Sequence, residues 1–231
     1  FTKYLLELVS REQPTHIAVA FDPPAATFRH EVYPEYKANR SETPELVRSS
    51  LEPLIGLLEA MEIPVLITPG YEADDVISTI AVRGAAKGYD VYMVTPDKDF
   101  GQVISDHIWQ YKPGRSGNEN EIIGKEDICA QYGISDPRQV IDILTIWGDS
   151  SDNIKGVYGI GEVGAKKLIS QYGSIENILE HMDELTPRQR KGFEESAEHL
   201  PMSRFLVTIK TDVEVEVNEE DLRWSACFNE K

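Results

Sequence analysis

Three short apolar runs, each followed at once by carboxylates, set the tightest limit on what this chain can fold into. Residues 16–21 (HIAVAF), 64–68 (PVLIT) and 90–95 (DVYMVT) lack the polar alternation of a strand with one wet face. They therefore predict strands in the interior of a parallel sheet. Helical patterns lie between them, such as Thr43-Pro44 as N-cap and first helical residue ahead of Leu46, Leu51, Leu54, Leu57 and Leu58. This alternation predicts an α/β fold with a mainly parallel central sheet flanked by helices.

Past about residue 125 the strand signals stop until Phe205 to Val217, and helices take over. Asp136-Pro137 with Gln139, and Thr186-Pro187 with Gln189, predict two capped helix starts. Val163 to Tyr172 and Ser174 to Met182 predict short helices around Gly173. The expected organisation is an α/β core over 1–125 and a mostly helical part over 126–231 that includes a C-terminal strand segment. Phe1 to Arg11 predicts an amphipathic helix with Tyr4, Leu5 and Leu8 on one stripe, and Arg115 to Asn120 predicts a mobile loop.

The positions of the acids carry the chemistry. Asp22 follows the first run, Glu72, Asp74 and Asp75 the second, and Asp97 and Asp99 the third. In a parallel sheet the carboxyl ends of the strands line one edge, so six carboxylates are expected in one crevice. Asp149 and Asp152 in GDSSDN share a face if that turn is helical. A helix dipole favours acids in a first turn, which explains any one of these singly but not three clusters each placed directly after a strand. Eight packed carboxylates repel one another unless cations neutralise them, and all-oxygen ligation suits Mg²⁺ or Mn²⁺. So many acids suit two ions about 4 Å apart, the usual arrangement for phosphodiester hydrolysis.

Two further clusters are basic on a chain whose 23 Lys and Arg face 40 Asp and Glu, for a net charge of −17. That balance makes attraction of the whole surface to nucleic acid implausible, so phosphate binding requires a local patch. Gly156, Gly159, Gly161 and Gly164 in GVYGIGEVGAKKL precede a helix carrying Lys166 and Lys167. With Lys155, the stretch to Gly173 holds three lysines against one glutamate, a local net of +2. Gly159, Gly161 and Gly164 fit GxGxxG, but no strand precedes them, so a dinucleotide site is not supported. The open readings are a phosphate-binding turn and a simple turn between core helices. In FRHEVYPEYKANR, the basic residues Arg29, Lys37 and Arg40 interleave with aromatics, yet acids balance them, and a solvated helix face fits as well. No apolar run approaches the roughly 18 residues of a membrane-spanning helix. Cys129 and Cys227, without CxxC spacing, signal neither a disulfide framework nor a zinc cage and point to a reducing cytosol.

FDPPAATFRHEVYPEYKANR, GYEADDVIST, TPDKDFGQ and GDSSDNIKGVYGIGEVGAKKL, in this order and spacing, closely resemble the 5′ nuclease domain of bacterial DNA polymerase I. The resemblance covers roughly residues 12 to 215. It implies a relative of flap endonucleases that cuts 5′ flaps and removes RNA primers with two divalent metals, on an α/β domain with a helix-three-turn-helix element, here about 149–175. Residue by residue it maps metal ligands onto Asp22, Glu72, Asp74, Asp75, Asp97, Asp99, Asp149 and Asp152. It puts Arg29, Lys37 and Arg40 in or beside a helical arch, 28–48, as catalytic groups. It makes Lys155, Gly156, Gly159, Gly161, Gly164, Lys166 and Lys167 the duplex-binding element, with K⁺ expected between its carbonyls and a DNA phosphate. DNA is the implied partner, a polymerase domain of the same chain an implied neighbour, and the bacterial nucleoid in the cytoplasm the implied setting.

The sequence also departs from the family pattern. Lys155 and Tyr158 stand where many relatives carry proline, and the family's opening strand, with another ligating Asp, has no counterpart from Phe1 onward. A chain limited to these residues is therefore expected to cut poorly. Two other classes compete with the nuclease: a noncatalytic DNA-binding relative, and a hydrolase of small phosphorylated substrates. The basic patches argue against the latter, because a small substrate needs neither.

Overall fold

The apolar runs form strands, but short ones. In the computed structural model, which describes residues 1–114 and 119–224, β1 (Val19–Ala20) pairs in parallel with β2 (Val65–Leu66). A second sheet has the order β3-β4-β5: β3 (Val91–Val94) runs parallel to β4 (Ile108–Lys112), which pairs antiparallel with β5 (Glu121–Ile123). The sheet region is thus α/β and largely parallel, split into two small sheets.

Helices cover these sheets: α1 (Thr2–Glu12), α2 (Phe28–Val32), α3 (Glu45–Ala60), α4 (Ala73–Ala86) and α5 (Lys125–Tyr132). The remainder is helical, with α6 (Val140–Trp147), α7 (Glu162–Tyr172), α8 (Ile175–Glu180), α9 (Pro187–Ser196), α10 (Leu200–Val207) and α11 (Glu219–Leu222). The two anticipated caps form: the Asp136 carboxylate accepts from Arg138 N at 2.9 Å, and Thr186 Oγ1 accepts from Gln189 N at 3.3 Å. One apolar core runs across the boundary near residue 125, joining Met93 and Phe100 to Ile143, Leu144, Ile169 and Phe193. A smaller cluster of Leu5, Val9, Leu58 and Ile63 lies against β1 and β2. No helix among the described residues is long and apolar enough to cross a membrane. Most of the loop anticipated at 115–120, and Cys227, lie outside the described residues.

The expected C-terminal strand is corrected. Phe205 ends inside α10, and 208–217 forms an extended strap rather than a strand. Its alternation is real, with Val213 buried and Glu214 and Glu216 exposed, but the strap lies on α4. Val213 N donates to Thr79 Oγ1 at 3.2 Å, and the Arg83 guanidinium donates to the carbonyls of Val213 (2.5 Å) and Val215 (3.0 Å). Side chains of a helix thus satisfy backbone groups that a neighbouring strand would otherwise bond. Over 28–48, α2 spans 5 residues, turns follow over 34–39, and the start of α3 falls within the range.

Thr79→Val keeps the shape of this buried side chain but leaves Val213 N without an acceptor. We expect a loss of about 1 to 3 kcal/mol, read as a lower urea midpoint at unchanged slope. An unchanged midpoint would show that the strap does not depend on this bond.

Candidate active site and glycine turn

The acids gather where the strands end. Asp22 follows β1, and its Oδ1 accepts a hydrogen bond from Ala73 N, the first residue of α4, at 2.8 Å. Glu72 is the N-cap of α4, with Asp74 and Asp75 in its first turn, where the helix dipole favours negative charge. Asp97 and Asp99 follow β3, and Asp97 Oδ1 accepts from Asp99 N at 3.0 Å. Asp149 and Asp152 stand in a tight turn, not a helix, closed by Asp149 N to Ile154 O at 3.0 Å and Ile154 N to Asp149 O at 2.7 Å.

These eight fall into three groups by what neutralises them. Glu72, Asp99, Asp149 and Asp152 pair with basic side chains around the crevice. Lys37 bonds Glu72 and lies 3.9 Å from Asp152, while Arg40 bonds Asp152. Lys98 bridges Asp99 at 3.0 Å and Asp149 at 2.8 Å. Tyr36, buried, donates its hydroxyl to Glu72 at 3.0 Å and lies 3.3 Å from Asp152; burial and these two carboxylates push its pKa up.

Asp75 is fully buried. Arg29, 2% exposed, grips it with two bonds of 2.7 and 2.9 Å, and gives another to Glu72 at 3.0 Å. The backbone amides of Lys210 (2.8 Å) and Glu72 (3.2 Å) also donate to Asp75. Each Asp75 oxygen thus accepts two bonds, which leaves it no lone pair for a metal. The remaining Arg29 donors reach the carbonyls of Leu206 at 3.0 Å and Thr208 at 2.8 Å. As placed, Arg29 spends all its donors inside the protein, and Asp75 holds the first turn of α4 to Arg29 and to the Lys210 amide.

Asp22, Asp74 and Asp97 form the third group and have no ion-pair partner among the described residues. Burial, then the charges of Asp97, Asp22 and Glu72, push the Asp74 carboxyl up to about 7. Asp99 is pushed up to about 6, chiefly by burial, with Asp97 and Asp149 adding to it against Lys98. Asp149 goes the other way: burial works to raise it, but bonds from Lys98 and Ser151 outweigh this and lower it. Among the described residues no three acids, histidines or cysteines stand close enough to enclose an ion as placed. The donor set still fits a divalent cation: it is all oxygen, in excess of the local positive charge, and includes acids that burial leaves uncompensated.

The basic turn lies between α6 and α7. At Gly156 a β-carbon would overlap the Ile146 and Trp147 backbones, so only glycine lets the turn pack on the end of α6. Gly159 is left-handed at φ +75°, and Gly161 caps α7. Gly164 lies in the first turn of α7 against Ile160. Lys155 and Lys167 are exposed, whereas Lys166 bonds Glu162 at 2.7 Å and lies 4.2 Å above the Tyr132 ring. Sequence reasoning missed Tyr36 and Lys98 as site residues; for Lys98 the signal was a lysine flanked by two acids in TPDKDF.

Comparison with known proteins decides the family. Residues 1–133 match the model of the 5′-3′ exonuclease N-terminal resolvase-like domain, and residues 135–230 that of the 5′-3′ exonuclease C-terminal SAM fold. The chain belongs to the 5′-3′ exonuclease family. It is 36% identical over 232 residues to DNA polymerase I of Bacillus caldotenax, covering 100% of this chain and 26% of that protein. To a 5′-3′ exonuclease of Aquifex aeolicus (strain VF5) it is 34% identical over 226 residues, covering 96% of this chain and 74% of that protein. The chain thus spans about a quarter of the DNA polymerase I relatives and about three quarters of the Aquifex exonuclease. Among solved structures, T5 5′-exonuclease with bound zinc ions has a TM-score of 0.72 at 24% identity, over 91% of this chain and 80% of that one. The bacteriophage T5 D15 flap endonuclease in complex with DNA and metal ions gives 0.74 at 23%, over 90% and 79%. These two likenesses establish the exonuclease fold.

Two outcomes follow for metal-free protein. Arg29→Met leaves Glu72 and Asp75 buried without their guanidinium, and a loss of about 3 to 5 kcal/mol is expected in urea denaturation. Arg29→Lys should lose most of this too, since an ammonium cannot replace a forked donor; parental stability in either variant would refute the buried latch. Asp74→Asn should do the opposite in chelator at pH 8. Folding raises the Asp74 pKa above its ordinary 3.8, so ionisation opposes folding above that value. The melting temperature should rise by a few degrees at pH 8, and the gain should shrink as pH falls through about 7 and vanish near 4. A gain independent of pH would point to packing instead.

Proposed function

We propose that this chain is a structure-specific 5′-to-3′ exonuclease and 5′ flap endonuclease that hydrolyses phosphodiester bonds with two divalent ions, Mg²⁺ or Mn²⁺. The carrying observation is the group of uncompensated acids, with Asp74 pushed up to about 7 beside Asp22 and Asp97. Asp22, Glu72, Asp74, Asp97, Asp99, Asp149 and Asp152 are the proposed ligands. Ions held there supply an activated water and neutralise the leaving oxygen.

The protein's own groups do the rest. Arg29 and Asp75 fix the first turn of α4, so that Asp74 is held among its neighbours at no reorganisation cost. Lys37 and Arg40 pair with Glu72 and Asp152 at the crevice, where their charges would stabilise the charge that develops on a scissile phosphate. Tyr36 keeps Glu72 and the 149–154 turn in register. Lys155, Lys167 and the free amides at the start of α7 hold the duplex phosphates, so the glycine turn and the segments around it act as the helix-three-turn-helix element. A K⁺ on carbonyls of that turn belongs to the same reading. Flaps, nicked duplexes and RNA primer strands are the proposed substrates, with a polymerase domain in the same chain and the bacterial nucleoid as the place of action.

With a 5′ flap substrate and Mg²⁺, Asp97→Asn should cut at least 100-fold more slowly while binding duplex like the parent, and chelator should abolish cutting by the parent. Lys37→Ala should slow cutting more than it weakens binding. Full cutting in chelator would refute the metal reading, and tight binding without cutting at any Mg²⁺ concentration would identify a noncatalytic DNA-binding relative.

A further inference from the structure

One face of α9, continued into the turn before α10, is shaped to the glycine turn. Its residues at positions 188, 192, 196 and 199 recur at helical spacing, and each meets the segment 156–159. Gly192 packs directly under the Tyr158 carbonyl, where a β-carbon would overlap it. Ser196 Oγ accepts from Tyr158 N at 3.0 Å, and His199 Nε2 lies 3.0 Å from the Gly156 carbonyl oxygen. These three contacts hold the turn against the helix.

The fourth member behaves differently. Arg188 lays its guanidinium against Gly159: a β-carbon built there would meet its Nε at 3.3 Å and an Nη at 3.4 Å. Yet Arg188 is exposed and is the one described arginine with neither an ion pair nor a hydrogen bond. The others spend their donors: Arg11, Arg29, Arg40, Arg48, Arg138, Arg204 and Arg223 on carboxylates, and Arg83 and Arg190 on carbonyls. On a chain of net charge −17, this unspent guanidinium lies against Gly159, two residues before the N-cap of α7, a helix start that no side chain caps. A planar fork of N–H donors just ahead of an uncapped helix start matches the oxygens of a phosphodiester.

We propose that Arg188 is a phosphate-binding residue for the DNA backbone, extending the grip of the glycine turn to a neighbouring phosphate of the duplex. The proposal rests on the duplex-binding reading of that turn. Being a backbone contact, it adds affinity and salt dependence without sequence preference.

The test is fluorescence anisotropy of a short labelled DNA duplex with this chain in chelator, across a salt series. Arg188→Ala should weaken binding about 5- to 10-fold at low salt and reduce the salt slope by about 1, at an unchanged melting temperature. Arg188→Lys should recover most of the affinity, since the charge is kept. Parental affinity and slope in Arg188→Ala overturn the proposal, as does a loss that Lys does not rescue and that comes with a lower melting temperature, which would make Arg188 structural. Lys155→Ala with Lys167→Ala separates the layers: if that pair weakens binding and Arg188→Ala does not, only the Arg188 proposal fails. If neither does, the duplex-binding reading of the turn fails with it.

Discussion

The crevice depends on one buried guanidinium. Arg29 brings five N–H donors into the interior, and all five are used: three on Asp75 and Glu72, two on the carbonyls of Leu206 and Thr208. A buried charge is tolerated only when paired and fully bonded, and this one ties α2, the start of α4 and the end of α10 to a single point. Fixing residues 72 and 75 fixes which way the first turn of α4 faces, and with it the place of Asp74. The strap that follows α10 continues the same attachment, with Asp75, Thr79 and Arg83 taking its backbone groups along one side of α4.

The same latch sorts the carboxylates. Two charges on Glu72 and Asp75 exceed the one on Arg29, and Lys37 supplies the second cation at Glu72. Lys98 and Arg40 do likewise for Asp99, Asp149 and Asp152. Asp22, Asp74 and Asp97 are held near one another by backbone and helix geometry without a cation of their own. Burial first, and then the charges of Asp97, Asp22 and Glu72, raise the Asp74 pKa, and a divalent ion bound there would relieve both.

Much of this was legible in the sequence, and the gaps have physical causes. β1, β2 and β3 announced themselves as apolar runs, because a strand buried on both faces needs no polar alternation. β4 did not: Gln110, buried at its centre, interrupts the pattern, and donates to the carbonyls of Thr95 and Asp97 instead. Val213, Val215 and Val217 alternate as a strand would, but alternation reports an extended chain with one face down, whatever it lies on. The acids' common edge followed from their positions after the strands. Which of them face inward did not, because sequence gives a charge its sign and not its partner. Hence Arg29 resembled Lys37 and Arg40, Asp75 resembled Asp74, and Arg188 stood out only once every other arginine had been seen to be engaged.

Whether Arg29 keeps Asp75 apart from the metal-binding acids can be read from the anomalous scattering of crystals soaked in Mn²⁺. Manganese peaks are expected among Asp22, Glu72, Asp74, Asp97, Asp99, Asp149 and Asp152, with Lys98 displaced from its carboxylates and Arg29 still bonded to Asp75 through both terminal nitrogens. A peak on Asp75, with the Arg29 guanidinium swung away, would contradict that separation.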